Sequence, residues 1–252
     1  VNDQTTNDGS GSTEAARRTL PAISAVPSNF MLDADTYAAA ATVGYAGMDF
    51  YFAGRAGVLG DVGADVVVRE LEVFPEAAVS AAWEATSAIE PRFAAGQRFA
   101  DQAARWADEH LDPDALDHDR LSELAGKVLD AADLSDAALV QGWLTLDEPA
   151  SSAARALHRL NGLRELRFAR HRVELTAAGI DPLDAVMVSS PFMAGIFGWP
   201  EPHPDPDQEV RDRWALVEAA TDERFSRDLA ALDAAELAEF VDLCESLPAA
   251  VR

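Results

Sequence analysis

Lysine is almost missing from this chain: Lys127 is the single one, and 20 lysines and arginines together face 44 aspartates and glutamates, for a formal net charge of −24 over 252 residues. Such a balance repels phosphate backbones and anionic lipid, which argues against DNA and membrane surfaces as partners. Solubility or adaptation to salt is the plainest meaning of that charge. Cysteine is reduced to Cys244, so neither an intrachain disulfide nor a thiolate cluster for zinc or iron–sulfur can form. This usage suits a reducing, cytoplasmic setting. Cys244 falls among Phe240, Val241, Leu243 and Leu247 in a helical apolar pattern, the setting of a buried, inert thiol. The histidines His110, His118, His158, His171 and His203 are scattered, with no His-x-x-x-His or Glu-x-x-His pair, so no metal and no cofactor is expected.

Long apolar runs are missing as well. None reaches the roughly 18 residues that a membrane span needs. Arg17-Arg18 ahead of Leu20 to Val26 has the order of a twin-arginine export signal, but Pro21, Ser24 and Pro27 break the short apolar stretch, and no export is expected. Alternating β-patterns are nearly absent; Val66-Val67-Val68 and Val186-Met187-Val188 are the only β-branched runs of note. The apolar share is 48%, a folding composition. It recurs at helical spacing, which predicts an all-α fold: a multi-helix orthogonal bundle with a long buried central helix and little or no β-structure.

Residues 1–28 are small and polar without periodicity, and read as a flexible tail. A helical core over 29–197 follows, then a proline-rich connector at 198–206, then a pair of helices over 207–252 that packs on the core. Within the core, the expected helices cover 33–52, 64–72, 75–89, 91–110, 112–132, 135–146 and 151–178, and Asp181-Pro182 opens another. The glycines Gly54, Gly57, Gly60 and Gly63 invite a phosphate-loop reading. It fails: no strand pattern precedes them, no Gly-Lys-Ser/Thr closes them, and Asp61 and Asp65 stand where an anion would approach. Close helix packing is the expectation there.

The 151–178 segment is unusual. At 100° per residue, Leu157, Leu160, Phe168 and Leu175 share an apolar face with Arg164 and His171, and Arg167 lies at its edge. Gly162, Leu166, Ala169 and Val173 form a second apolar stripe, so the helix is expected to be sandwiched between others. His158, Asn161, Glu165 and Arg172 line an adjacent polar edge. Cationic side chains inside an apolar stripe need partners, because an unpaired buried charge costs several kcal/mol. Two readings stay open. Arg164 and His171 pair with carboxylates of neighbouring helices, or they line a pocket and clamp an anionic or carbonyl-bearing ligand, with His158, Glu165 or His171 available for proton transfer.

Two stretches carry a family resemblance: Tyr51-Phe52-Ala53-Gly54-Arg55-Ala56 with Leu59-Gly60, and Leu157-His158, Leu163-Arg164-Glu165, Arg167, His171 and Ala177-Ala178-Gly179. In them the chain resembles a mainly actinobacterial family of helical proteins labelled helix-turn-helix. The likeness spans about residues 35–190 and, more loosely, Val217 to Asp222. It implies Arg55, His158, Arg164, Glu165, Arg167 and His171 as the recurrent polar residues of the family. This sequence has Leu166 where relatives carry a second histidine and Ala169 where they carry an aspartate; if those two groups do chemistry in relatives, the departure implies binding without turnover here. The winged-helix-like stretch that follows in relatives is replaced by the connector after Gly198-Trp199.

Leu175 to Ser190 reads as a helix-turn-helix about Gly179, but its second helix, Asp181 to Ser190, has two acids and no Arg, Lys, Asn or Gln to read a base edge. The expected function is binding of a small polar or anionic molecule in an internal pocket lined by the 151–178 helix and Arg55. A degenerate helix-turn-helix regulator or protein-interaction module is the alternative. Whether the chain is an enzyme, and whether it forms a homodimer, the residues leave open.

Overall fold

The computed structural model describes residues 8–252, with side chains from Gly11 onward. The fold is all-α. Its helices are α1 (Asp8–Leu20), α2 (Val26–Leu32), α3 (Ala34–Ala41), α4 (Asp49–Gly57), α5 (Ala64–Glu70), α6 (Glu76–Ala85), α7 (Arg92–His110), α8 (His118–Ala131), α9 (Ala138–Trp143), α10 (Ser152–Ala178), α11 (Pro182–Ser189), α12 (Met193–Phe197), α13 (Gln208–Leu229) and α14 (Ala234–Ser246). Among the described residues there is no strand, only an isolated antiparallel bridge between Leu111 and Val251. None of their helices is long and apolar enough to cross a membrane.

Three boundaries differ from those expected. The tail read over 1–28 is helical from Asp8, running through a π-helical turn at Pro21–Ala25 into α2; residues 1–7 lie outside the described residues. The small residues that look featureless in sequence are interior ones, since Ala15, Ala16, Thr19, Ala22, Ile23 and Val26 are all buried. Arg17 and Arg18, which have the order of an export signal, pair with Asp222 and Glu245. The single helix expected over 33–52 is split into α3 and α4, because Gly44 (φ 112°) and Gly47 (φ 46°) take left-handed backbone that ends one helix before the next begins. Helix α8 starts later than Asp112: Asp117 is its N-cap, with Oδ1 accepting from the Arg120 amide at 2.9 Å.

The chain forms two compact units that do not follow chain order: Val1–Thr36, Ala100–Arg170 and Thr221–Arg252 make one, Tyr37–Phe99 and His171–Ala220 the other. The boundaries fall inside α3, α7, α10 and α13. The first unit buries Phe30, Leu121, Leu124, Leu129, Leu157, Leu160, Phe225 and Phe240 completely, and each such side chain contributes roughly 1.5–3 kcal/mol. Gly162 permits that packing, since a Cβ there would stand 2.9 Å from Leu129 Cδ1. A capping box at Asp233 and Glu236 starts α14. Cys244 on that helix is buried, and burial pushes its thiol well above the ordinary range.

The second unit has an aromatic interior. Phe50 and Tyr51 meet Phe99 edge-on, Phe52 meets Phe74 at 5.1 Å, and Phe74 meets Phe197 at 4.4 Å. Here the glycines of α4 have their use. A Cβ on Gly57 would lie 2.3 Å from the Arg92 carbonyl oxygen and 2.7 Å from the Gly96 amide, and one on Gly54 would lie 2.7 Å from Phe99 Cβ. Helices α4 and α7 touch backbone to backbone at Gly57, and at Gly54 the Phe99 side chain takes the space of a Cβ, the close packing expected of these two glycines.

Candidate functional site

Helix α10 carries the unusual chemistry, and in the first unit it is inside on nearly every side. From Ala153 to Arg170 none of its residues is exposed. His158 is 3% exposed, Asn161 2% and Glu165 5%; at offsets of three and seven residues they share one face. His158 lies against the Trp143 ring, centroids 4.9 Å apart and planes 25° from parallel, while Trp143 Nε1 donates to the His158 carbonyl at 3.0 Å. Burial, with the nearby Arg159 charge adding, pushes the His158 imidazole down to about 4, so the ring is neutral at physiological pH. His158 Nδ1 and both polar atoms of the Asn161 amide are buried with no hydrogen-bond partner among the described residues. A buried donor or acceptor left this way costs about 1–3 kcal/mol.

The cations along the same helix contrast with this. Arg164 Nη1 donates to Glu165 Oε1 at 2.8 Å, so its carboxylate comes from its own helix and not a neighbouring one. Arg167 Nη2 donates to Asp222 Oδ1 at 3.0 Å, and Arg17 Nε reaches the other oxygen of that carboxylate at 3.0 Å. Arg170 is gripped hardest: Nε and Nη2 hold Asp228 in a two-point pair at 3.0 and 2.9 Å, Nη1 holds Asp136 at 2.9 Å, and Nη2 also donates to the Asp133 carbonyl at 2.8 Å.

Sequence reasoning left Asn161 and Arg170 off the candidate list. Both were within reach of the same helical wheel. Asn161 lies between His158 and Glu165 on one face, and Arg170 continues the row of the buried Leu163 and Leu166.

The other two expected residues, Arg55 and His171, belong to the second unit. Arg55 is 4% exposed and donates to the Tyr51 hydroxyl at 3.2 Å across one turn of α4. His171 Nδ1 lies 3.4 Å from Glu218 Oε1, and its ring meets Trp214 edge-on at 5.1 Å. For His171, then, the carboxylate-paired reading describes the contact on α13. His158, Arg164, Glu165 and Arg167 are the four that fall in the first unit. Among the described residues no three His, Cys, Asp or Glu side chains are grouped to hold a metal ion.

The second unit also contains a local helix–turn–helix. Helix α10 ends at Ala178, Gly179 takes the left-handed conformation (φ 61°), and Asp181 caps α11 by accepting from the Leu183 amide at 2.9 Å, with Pro182 next. Arg213 donates to the carbonyls of Ala178 and Gly179 at 3.3 and 3.5 Å, closing the end of α10. Leu175, Ile180, Ala185, Val210 and Val217 pack as the core of this corner. A family model described as a helix-turn-helix family matches residues 16–205. The chain belongs to this helix-turn-helix family. No curated protein matches it, and no solved structure does. In this family member the second helix of the motif is poor in DNA chemistry: from Val173 to Val210 there is no Lys or Arg to meet a phosphate.

Proposed function

We propose that this member of the helix-turn-helix family binds a small polar molecule on the face of α10 that carries His158, Asn161 and Glu165. One observation carries the reading: two adjacent buried side chains on one helical face leave three polar atoms without a protein partner. Folded proteins satisfy nearly all such atoms, and the exceptions concentrate where something else supplies the bond. Arg164 is paired with Glu165 and Arg167 with Asp222, so neither lends the helix free positive charge. A neutral imidazole and an amide bind and orient; with both cations neutralised by carboxylates, the arrangement favours recognition over turnover.

Differential scanning fluorimetry with a panel of small amides, nucleobases, sugars, carboxylates and phosphates tests this. A ligand at about a hundred times its Kd adds roughly 2.7 kcal/mol of stability, which reads as a clear rise in Tm. A hit on the wild type that disappears in Asn161→Leu is expected; a panel without any Asn161-dependent hit overturns the reading.

A second reading follows from family membership and the α10–α11 corner, namely a regulator that contacts DNA through that motif. The missing cations between Val173 and Val210 weigh against it. Salt-dependent retention on duplex DNA measures it, and absence of retention at low salt removes it.

A further inference from the structure

We infer that the ligand of the α10 face is neutral and presents an amide-type edge, an N–H beside a C=O, to Asn161. This rests on the binding reading above and narrows it to a chemical class.

The Asn161 side chain sets the chemistry of this face. Its amide carries two N–H donors and one carbonyl acceptor, and neither end finds a protein partner. A carboxylate or phosphate would accept from the N–H groups but bring only oxygen to the Asn161 carbonyl, leaving two acceptors face to face. An ammonium has the reverse defect. A group with donor and acceptor side by side meets both ends at once, as in the two-point pairing of asparagine with an adenine edge. The conclusion holds for either orientation of the amide, since both ends are unpartnered.

His158 fits the same class. Its Nδ1 is the third unpartnered atom, and a neutral imidazole provides one donor and one acceptor. The ring is held in place from two directions, by its stack on Trp143 and by the bond from Trp143 Nε1 to its own carbonyl. Each cation along this part of the helix has its own carboxylate and none is free for an anion: Arg159 meets Glu148, Arg164 meets Glu165, Arg167 meets Asp222 and Arg170 meets Asp228. The face therefore recognises hydrogen-bond pattern and excludes charge, since bringing an anion into so buried a site forfeits its hydration without a compensating cation.

Isothermal titration calorimetry with matched probes tests the inference on the full chain. Nicotinamide and nicotinate share a ring and differ in carboxamide against carboxylate; uracil and 2-pyrrolidone carry the same edge on a nucleobase and on an aliphatic ring. At least one of the three neutral probes is expected to bind about tenfold or more tightly than nicotinate, and to lose that advantage in Asn161→Leu. Circular dichroism and Tm confirm that the variant is folded. Uracil binding without 2-pyrrolidone assigns a nucleobase as the source of the edge, and the converse assigns an aliphatic lactam; both support the class. If nicotinate or another anion binds more tightly in an Asn161-dependent way, the neutral class is overturned and the binding reading stands. If no probe in this set or in the wider panel depends on Asn161, ordered water alone fills the face and both are overturned.

Discussion

Arg170 and Asn161 stand on the same buried helix, at 8% and 2% exposure, and have opposite fates. Arg170 has every reason to be costly, being a full charge taken out of water, yet two carboxylates and a carbonyl surround it. Asn161 is only a neutral amide, and it is left with nothing. A fold that assembles three partners for a guanidinium on one stretch of α10 has the means to satisfy an amide on another. The difference separates two uses of buried polarity. Arg170 ties α10 to Asp136 after α8 and to Asp228 on α13; Asn161 and His158 carry polar atoms that no group of the described residues meets, and in the proposed function these await a group from outside the chain.

The sharpest test of that contrast removes the satisfied partner. Arg170→Met leaves Asp228, itself 9% exposed, without its counter-charge, and is expected to cost roughly 3–5 kcal/mol in urea unfolding. A loss below about 1 kcal/mol would place the pair with ordinary surface bridges and blur the comparison.

Next comes acid. The folded-state pKa of His158 lies near 4, below the 6.5 of a free imidazole. The unfolded chain therefore takes up the proton first. Its contribution is fully present above about pH 6.5 and is lost as pH falls toward 4, by roughly 3 kcal/mol in all. Wild type and His158→Phe, which keeps a ring against Trp143, are expected to diverge in that window, with the variant the less acid-sensitive. Parallel stability–pH curves would mean that the ring reaches water.

The smallest effect has the opposite sign. Replacing the amide by a similar-sized apolar group removes a desolvation penalty, so Asn161→Leu is expected to gain roughly 1–2 kcal/mol without ligand, read as a higher Tm. A destabilised variant would show that the amide is satisfied in the folded chain and would erase its difference from Arg170.

Much of this was legible beforehand. The helical period of α10, with Ala156, Leu157, Leu160 and Leu163 facing in, is a property of spacing, and it placed Arg164, Arg167 and His158 on a helix that is now seen to be buried. The packing role of Gly54 and Gly57 was readable because the alternative, a phosphate loop, lacks its strand and its lysine. Two things were not legible. Residues 11–28 pass for a tail because alanine and threonine are equally at home in either setting; what commits them is burial and the reach of Arg17 and Arg18 to α13 and α14. And a wheel says that a cation points inward without saying what meets it, so Arg164 paired with its own neighbour and Arg170, uncounted, formed the larger network.

Helix content, the lopsided charge and the inward face of α10 were determined by the chain itself, because they depend on local propensity and a fixed angle per residue. Which buried polar group would be matched and which left open was decided only when distant stretches came together. A hydrogen bond needs its two atoms within about 3 Å, and Asp222 and Asp228 lie more than fifty residues along the chain from the arginines that they neutralise.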